Sequence, residues 1–150
     1  MPTIGACLVV KNEGRTLAKC CESFRTVVDE TVIGVDDSCT DDTYEIASKY
    51  ASPGKLFTFQ WQGDFSLARN LAIQRCETDF VFIVDGHEYV PDDAHPVSEV
   101  LARMRRVDLT KDKVLTPLSF LEVLRRQGTQ PEFEVICINL AMNVDEAGIP

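Results

Sequence analysis

The stretch FVFIVDGHE, at positions 80–88, ends an apolar run in groups that can do chemistry. Asp85 and His87 alternate with Gly86, so on an extended strand end both side chains turn to one side. Gly86 between them lets the backbone approach a ligand closely. A carboxylate beside an imidazole suits a divalent transition ion such as Mn²⁺, whereas carboxylates alone suit Mg²⁺. An ion there would bridge two phosphates and neutralise a leaving diphosphate. The plain alternative is a polar turn after a buried strand. A second cluster, Asp36-Asp37-Ser38, follows the apolar VIGV in the same way. A carboxylate there accepts a hydrogen bond from a base N–H or a ribose hydroxyl. Helix capping is the competing use, and it suits Thr40, Asp41 and Asp42 better. Two carboxylates against a sheet end cost desolvation unless partnered, which favours ligand contact for Asp36 and Asp37.

A third feature is DFSLARN at 64–70. Read on a helical period, Arg69 falls on the opposite side from Phe65 and Ala72, free to clamp a diphosphate or to hold Asp85. An ordinary surface ion pair is the alternative. His95, in AHP, reads as a surface histidine, and Arg103, Arg105 and Arg106 read as a solvated helix face.

These residues need elements to position them. TIGACLVV at 3–10, ETVIGV at 30–35, KLFTFQW at 55–61 and DFVFIVD at 79–85 read as strands. Between them lie helical patterns: Leu17, Cys20 or Cys21, Phe24 and Val27 or Val28, then TYEIASKY at 43–50. Gly63-Asp64 caps a further helix, on which Phe65, Ala68, Ala72 and Cys76 share a face. A helix over roughly 96–107 and strands within VLTPLSFLEVL and FEVICINLAMNV complete the pattern. Alternating strands and helices predict an α/β fold with a mostly parallel sheet flanked by helices. In such a sheet, ligands sit at the carboxyl ends of the strands, where both acidic clusters fall.

The 150 residues predict one domain, and 45% apolar residues supply its core. A formal charge of -9 excludes nucleic acid and anionic membrane surfaces as partners. No apolar run approaches the roughly 20 residues of a membrane span, and no basic leader opens the chain, so a soluble cytoplasmic protein is expected. The six cysteines lack paired zinc spacing and read as reduced core thiols, apart from Cys39 in the first acidic loop.

Taken in order, LVVKNEG, VIGVDDSCTDDT, DFSLARNLA and FVFIVDGHEYV resemble the family 2 inverting glycosyltransferases of the GT-A fold. The likeness runs from Ile4 to about Pro91. The segments resemble, respectively, the family's first strand with its KNE turn, its V-D-D/T-G-S-T-D-x-T segment, its F-S-x-A-R-N helix and its D-x-D-E metal motif. The resemblance implies a single GT-A-like domain over 1–150, with a donor half at about 1–91 and a divergent remainder at 92–150, truncated in its acceptor half. It implies a nucleotide-sugar donor, commonly a UDP-sugar. Asp37 matches the nucleobase contact, with Asp36 beside it. Val9, Val10, Lys11 and Asn12 would line the base, and Glu13 completes the KNE turn. Arg69 matches the arginine near the donor pocket. Asp85 and His87 match the two ends of the metal motif around Gly86.

Three departures stand out. Ser38-Cys39 replaces the family's Gly-Ser. His87 replaces its second aspartate, which favours Mn²⁺ over Mg²⁺. Inverting transfer needs a carboxylate base, and among Glu132, Glu134, Asp145 and Glu146 no spacing selects one. A non-catalytic nucleotide- or metal-binding module is therefore the alternative function, and apolar strands left uncovered imply a homodimer. Other enzyme classes fit worse. A sugar-phosphate nucleotidyltransferase needs a glycine-rich loop where KNEG stands, a dehalogenase-type phosphatase needs Asp-x-Asp, and a receiver domain has its acidic pair after the first strand.

Overall fold

The structure is a computed structural model that describes residues 3–90 and 141–142. Its elements are β1 (Ile4–Val10), α1 (Leu17–Phe24), β2 (Glu30–Asp36), α2 (Thr43–Tyr50), β3 (Leu56–Phe59), α3 (Phe65–Arg75), β4 (Phe80–Ile83), β5 (Glu88–Tyr89) and β6 (Ala141–Met142). The strands order as β3-β2-β1-β4 in one sheet, and every pairing in it is parallel. β5 and β6 form a small antiparallel pair. The predicted α/β alternation holds for the described residues. Of the expected strand FEVICINLAMNV, Ala141–Met142 is a strand. The expected helix at 96–107, the VLTPLSFLEVL strand, His95, Cys137, the three arginines at 103, 105 and 106, and the acidic residues Glu132, Glu134, Asp145 and Glu146 lie outside the described residues.

β1 shows why its sequence is an unbroken apolar run: it is covered on both faces. Ile4, Ala6, Leu8 and Val10 point to one side, packing with Leu17, Cys20, Cys21 and Phe24 of α1 and Ala47 of α2. Cys7 and Val9 point to the other, towards Ala72 and the buried Cys76 at the end of α3. Phe24 meets Phe82 of β4 edge-on, with centroids 6.0 Å apart and planes at 84°. Cys7, Cys20, Cys21, Cys39 and Cys76 are free thiols, and all but Cys39 are buried.

Helix α3 starts as its sequence dictates. Gly63 takes a left-handed φ of 76°, and the Asp64 side chain accepts from the Ser66 amide at 2.8 Å. One expectation fails here. Ala68 and Ala72 are buried, but Phe65 is 63% exposed. Its ring packs edge-on against Trp61 at 4.7 Å instead of on the sheet.

The chain runs outward from β1 through β2 to β3, then returns to place β4 on the far side of β1. The carboxyl ends of β1 and β4 therefore flank the point where strand order reverses, which is where open α/β sheets leave a crevice for ligands.

Candidate functional site

At that reversal β1 ends in a turn whose Asn12 adopts a left-handed φ of 49°. Asparagine tolerates this conformation because its short polar side chain bonds locally. Here its Oδ1 accepts from the Thr40 amide at 2.9 Å, and its own amide donates to Cys39 Sγ at 3.3 Å. Asp41 extends the same splint, accepting from the amides of Gly14 at 2.9 Å and Thr43 at 3.0 Å. The loop thus fastens to the turn after β1. Asp42 occupies the N-cap position of α2 but makes no side-chain cap bond, so the capping expected of Thr40 to Asp42 falls to Asp41 alone.

The Thr43 hydroxyl, foremost, holds the Asp41 carboxyl below its ordinary value of 3.8; burial opposes it, and the Gly14 and Thr43 amides assist. A depressed folded-state value contributes stability that is present above the unfolded value and lost as pH falls through the folded one. Asp41→Asn should therefore flatten the acid limb of a urea-midpoint profile below pH 3.8 and lower the midpoint at neutral pH. Parallel acid limbs in wild type and variant would contradict this.

Beyond β4, Asp85 and His87 do not lie on an extended strand end as the alternation suggested. They flank a turn closed by the Glu88 amide donating to Asp85 O at 2.9 Å, while the Asp85 amide donates to Glu88 Oε2 at 2.9 Å. The turn is also tied to α1: Thr16 Oγ1 donates to Gly86 O at 2.8 Å, and Cys20 Sγ donates to Asp85 O at 3.4 Å. Glycine is required at 86 by space. A Cβ there would lie 2.8 Å from Val10 Cγ1 and 3.2 Å from Glu13 Cγ.

Arg69 reaches Asp85, with Nη2 3.1 Å from Oδ1. Its Nε is buried with no hydrogen-bond partner among the described residues. The expectation that Arg69 faces away from Phe65 is corrected, because the guanidinium lies 5.6 Å from the Phe65 ring centroid. Four residues advance a helix by about 400°, which returns the side chain close to where it began. His87 Nδ1 stands 3.5 Å from Glu13 Oε1.

These groups border one cleft of about 420 Å³. Val9, Val10, Lys11 and Asp36 line one part, and Glu13, Arg69, Asp85 and His87 another. Asp36 is 2% exposed and accepts from the Ser38 amide at 2.8 Å and the Ser38 hydroxyl at 2.7 Å, both at Oδ1. Burial pushes its carboxyl up, but Ser38 and the nearby Lys11 ammonium outweigh that and hold it below the ordinary carboxylate range. Asp36 is thus an anion at neutral pH. Asp37 is exposed and outside the lining, its amide donating to Phe59 O at 2.9 Å. Asn12 and Gly86 also stay out of the lining and act through the turns they shape.

Sequence reasoning missed a third part of the wall, made by Phe59, Trp61 and Phe65. Phe59 is the register partner of Asp36. That pairing was hidden in the sequence, where aromatic residues in an alternating run read as core.

Residues 6–108 match the family model described as Glycosyl transferase family 2. A TPR repeat-containing protein of Synechococcus elongatus is 33% identical over 88 residues, which are 59% of this chain and 21% of that protein. The SPbeta prophage-derived glycosyltransferase SunS of Bacillus subtilis is 30% identical over 85 residues, 57% of this chain and 20% of that protein. Among solved structures, S. aureus TarS 1–349 aligns with a TM-score of 0.50 at 22% identity, covering 69% of this chain and 32% of that one. That likeness is one of fold: a mostly parallel sheet with flanking helices, of the GT-A kind. The chain spans about a fifth of the length of these curated relatives. No helix among the described residues is long and apolar enough to cross a membrane.

Proposed function

The chain belongs to glycosyl transferase family 2, and from that premise we propose that its cleft binds a nucleotide-sugar donor, a UDP-sugar, with a divalent ion, for inverting transfer of the sugar to an acceptor hydroxyl. The observation that supports this most is the meeting of Asp36, Arg69 and Asp85 around one cleft at the reversal of strand order. Asp36, ionised and buried, accepts a hydrogen bond from a base N–H or a ribose hydroxyl. Arg69 supplies a fixed cation to the diphosphate. Its Nε is a buried donor without an acceptor among the described residues, a situation that costs about 1–3 kcal/mol.

The residues fit a cation shared with the ligand. No trio of His, Cys, Asp or Glu among the described residues could hold a metal by itself. Asp85 engages Arg69 through Oδ1, its Oδ2 accepts no hydrogen bond among the described residues, and His87 adds an imidazole. One or two protein groups completed by phosphate oxygens is a common way to bind such an ion, and the imidazole favours Mn²⁺ over Mg²⁺. When bound, the ion would neutralise charge building on the leaving diphosphate. Meanwhile Arg69 orients Asp85, and Glu13 stands beside the His87 ring. No catalytic base is assigned among the described residues.

Calorimetry with UDP, with and without Mn²⁺, tests the reading. UDP should bind more tightly with Mn²⁺, and His87→Ala should remove about tenfold of that gain while leaving metal-free binding unchanged. Absence of heat in both conditions would sink it. Donor hydrolysis or sugar transfer then separates a catalytic unit from a module that only holds the donor.

A further inference from the structure

We propose that Trp61 is the stacking surface for the donor's nucleobase, an inference that rests on the donor reading above. Trp61 lies beyond the end of β3 and lines the cleft while 39% exposed. Large aromatic side chains left half-exposed inside a concave site are strong candidates for binding planar ligands. Its one described ring neighbour, Phe65, meets it with planes at 68° and centroids 4.7 Å apart. With the planes so inclined, Phe65 does not stack flat on the indole, and Trp61 stays partly open to solvent.

Position selects the base over the sugar or the acceptor as occupant. Phe59 pairs in register with Asp36, and Trp61 follows it two residues later, so the aromatic wall begins beside the buried carboxylate. Arg69 and the metal-ligating groups belong to other elements, α3 and the turn after β4, with Phe65 of the aromatic wall beside Arg69 on α3, while Lys11 stands near Asp36 just past the end of β1. A nucleoside diphosphate with its phosphates at Arg69 and Asp85 and an N–H at Asp36 therefore brings its planar end to Phe59 and Trp61. Stacking supplies affinity through the π face, while Asp36 supplies the directional contact. This splits the work of holding the base between an apolar surface and one acceptor.

Trp61 is the sole tryptophan of the chain, so its emission reports this contact without interference. The intact chain is titrated with UDP, with uridine and with inorganic diphosphate, each in the presence of Mn²⁺, recording fluorescence and heat. UDP and uridine should quench Trp61 emission, whereas diphosphate should bind without quenching. Trp61→Ala should weaken UDP about tenfold and leave diphosphate unchanged, and Trp61→Phe should restore most of the loss. Heat with UDP but unchanged emission overturns the assignment and leaves the donor reading standing. So does a Trp61→Ala protein that binds UDP normally but loses donor hydrolysis or transfer, which would give the wall to the sugar or acceptor. No heat with UDP overturns the donor reading itself.

Discussion

Asp85→Asn should lower the Mn²⁺-dependent affinity for UDP by at least ~100-fold, because groups that merely orient a ligating residue already account for about 10–100-fold. The substitution keeps shape and removes charge. Arg69 Nη2, 3.1 Å from Oδ1, would then face a neutral amide, and the guanidinium, whose Nε has no acceptor among the described residues, would lose this counter-ion. The fold should survive, since the side chains of this pair are 40% and 37% exposed, and such pairs contribute about 0–1 kcal/mol to stability. The informative measurement is a pair of binding curves, with and without Mn²⁺, alongside a thermal melt. Equal losses in both curves would mean that Asp85 acts only by holding Arg69. An unchanged curve with Mn²⁺ would remove Asp85 from the site.

The largest effect on stability should come from Phe24→Ala, at about 3–5 kcal/mol. Phe24 is 1% exposed, closes the last turn of α1 and meets Phe82 edge-on. Removing the ring takes away both burial and the aromatic edge contact between α1 and β4. Against a total stability of about 5–15 kcal/mol, the loss should lower the melting temperature by roughly 10 °C or more. Circular dichroism melts read it directly. A loss under about 1 kcal/mol would mean that α1 does not pack on the sheet as described.

The sheet was legible because β1, β2 and β4 are short apolar runs set between helical periods, and because a strand covered on both faces leaves no polar residue to blur it. Asp36, Arg69, Asp85 and His87 were legible as reactive types at strand and helix ends. What brings Asp85 and His87 together was not, since the sequence suggested extended alternation and the chain uses a turn bonded through Glu88. Phe65 misled for another reason. Its helical period points it towards the core side, but in the first turn of α3 it packs on Trp61. Periodicity reports direction and carries no information about whether a partner stands there. Register was equally invisible, so the pairing of Phe59 with Asp36 emerged only from the sheet.

The bonds from Thr16 and Cys20 to the backbone of Gly86 and Asp85 join the first helix to the loop that carries Asp85 and His87 at the cleft. Neither side chain belongs to the cleft lining, yet loosening α1 would loosen that loop. Occupancy and the integrity of this helix are thereby linked thermodynamically. A ligand that tightened that loop would also shield α1 from fraying.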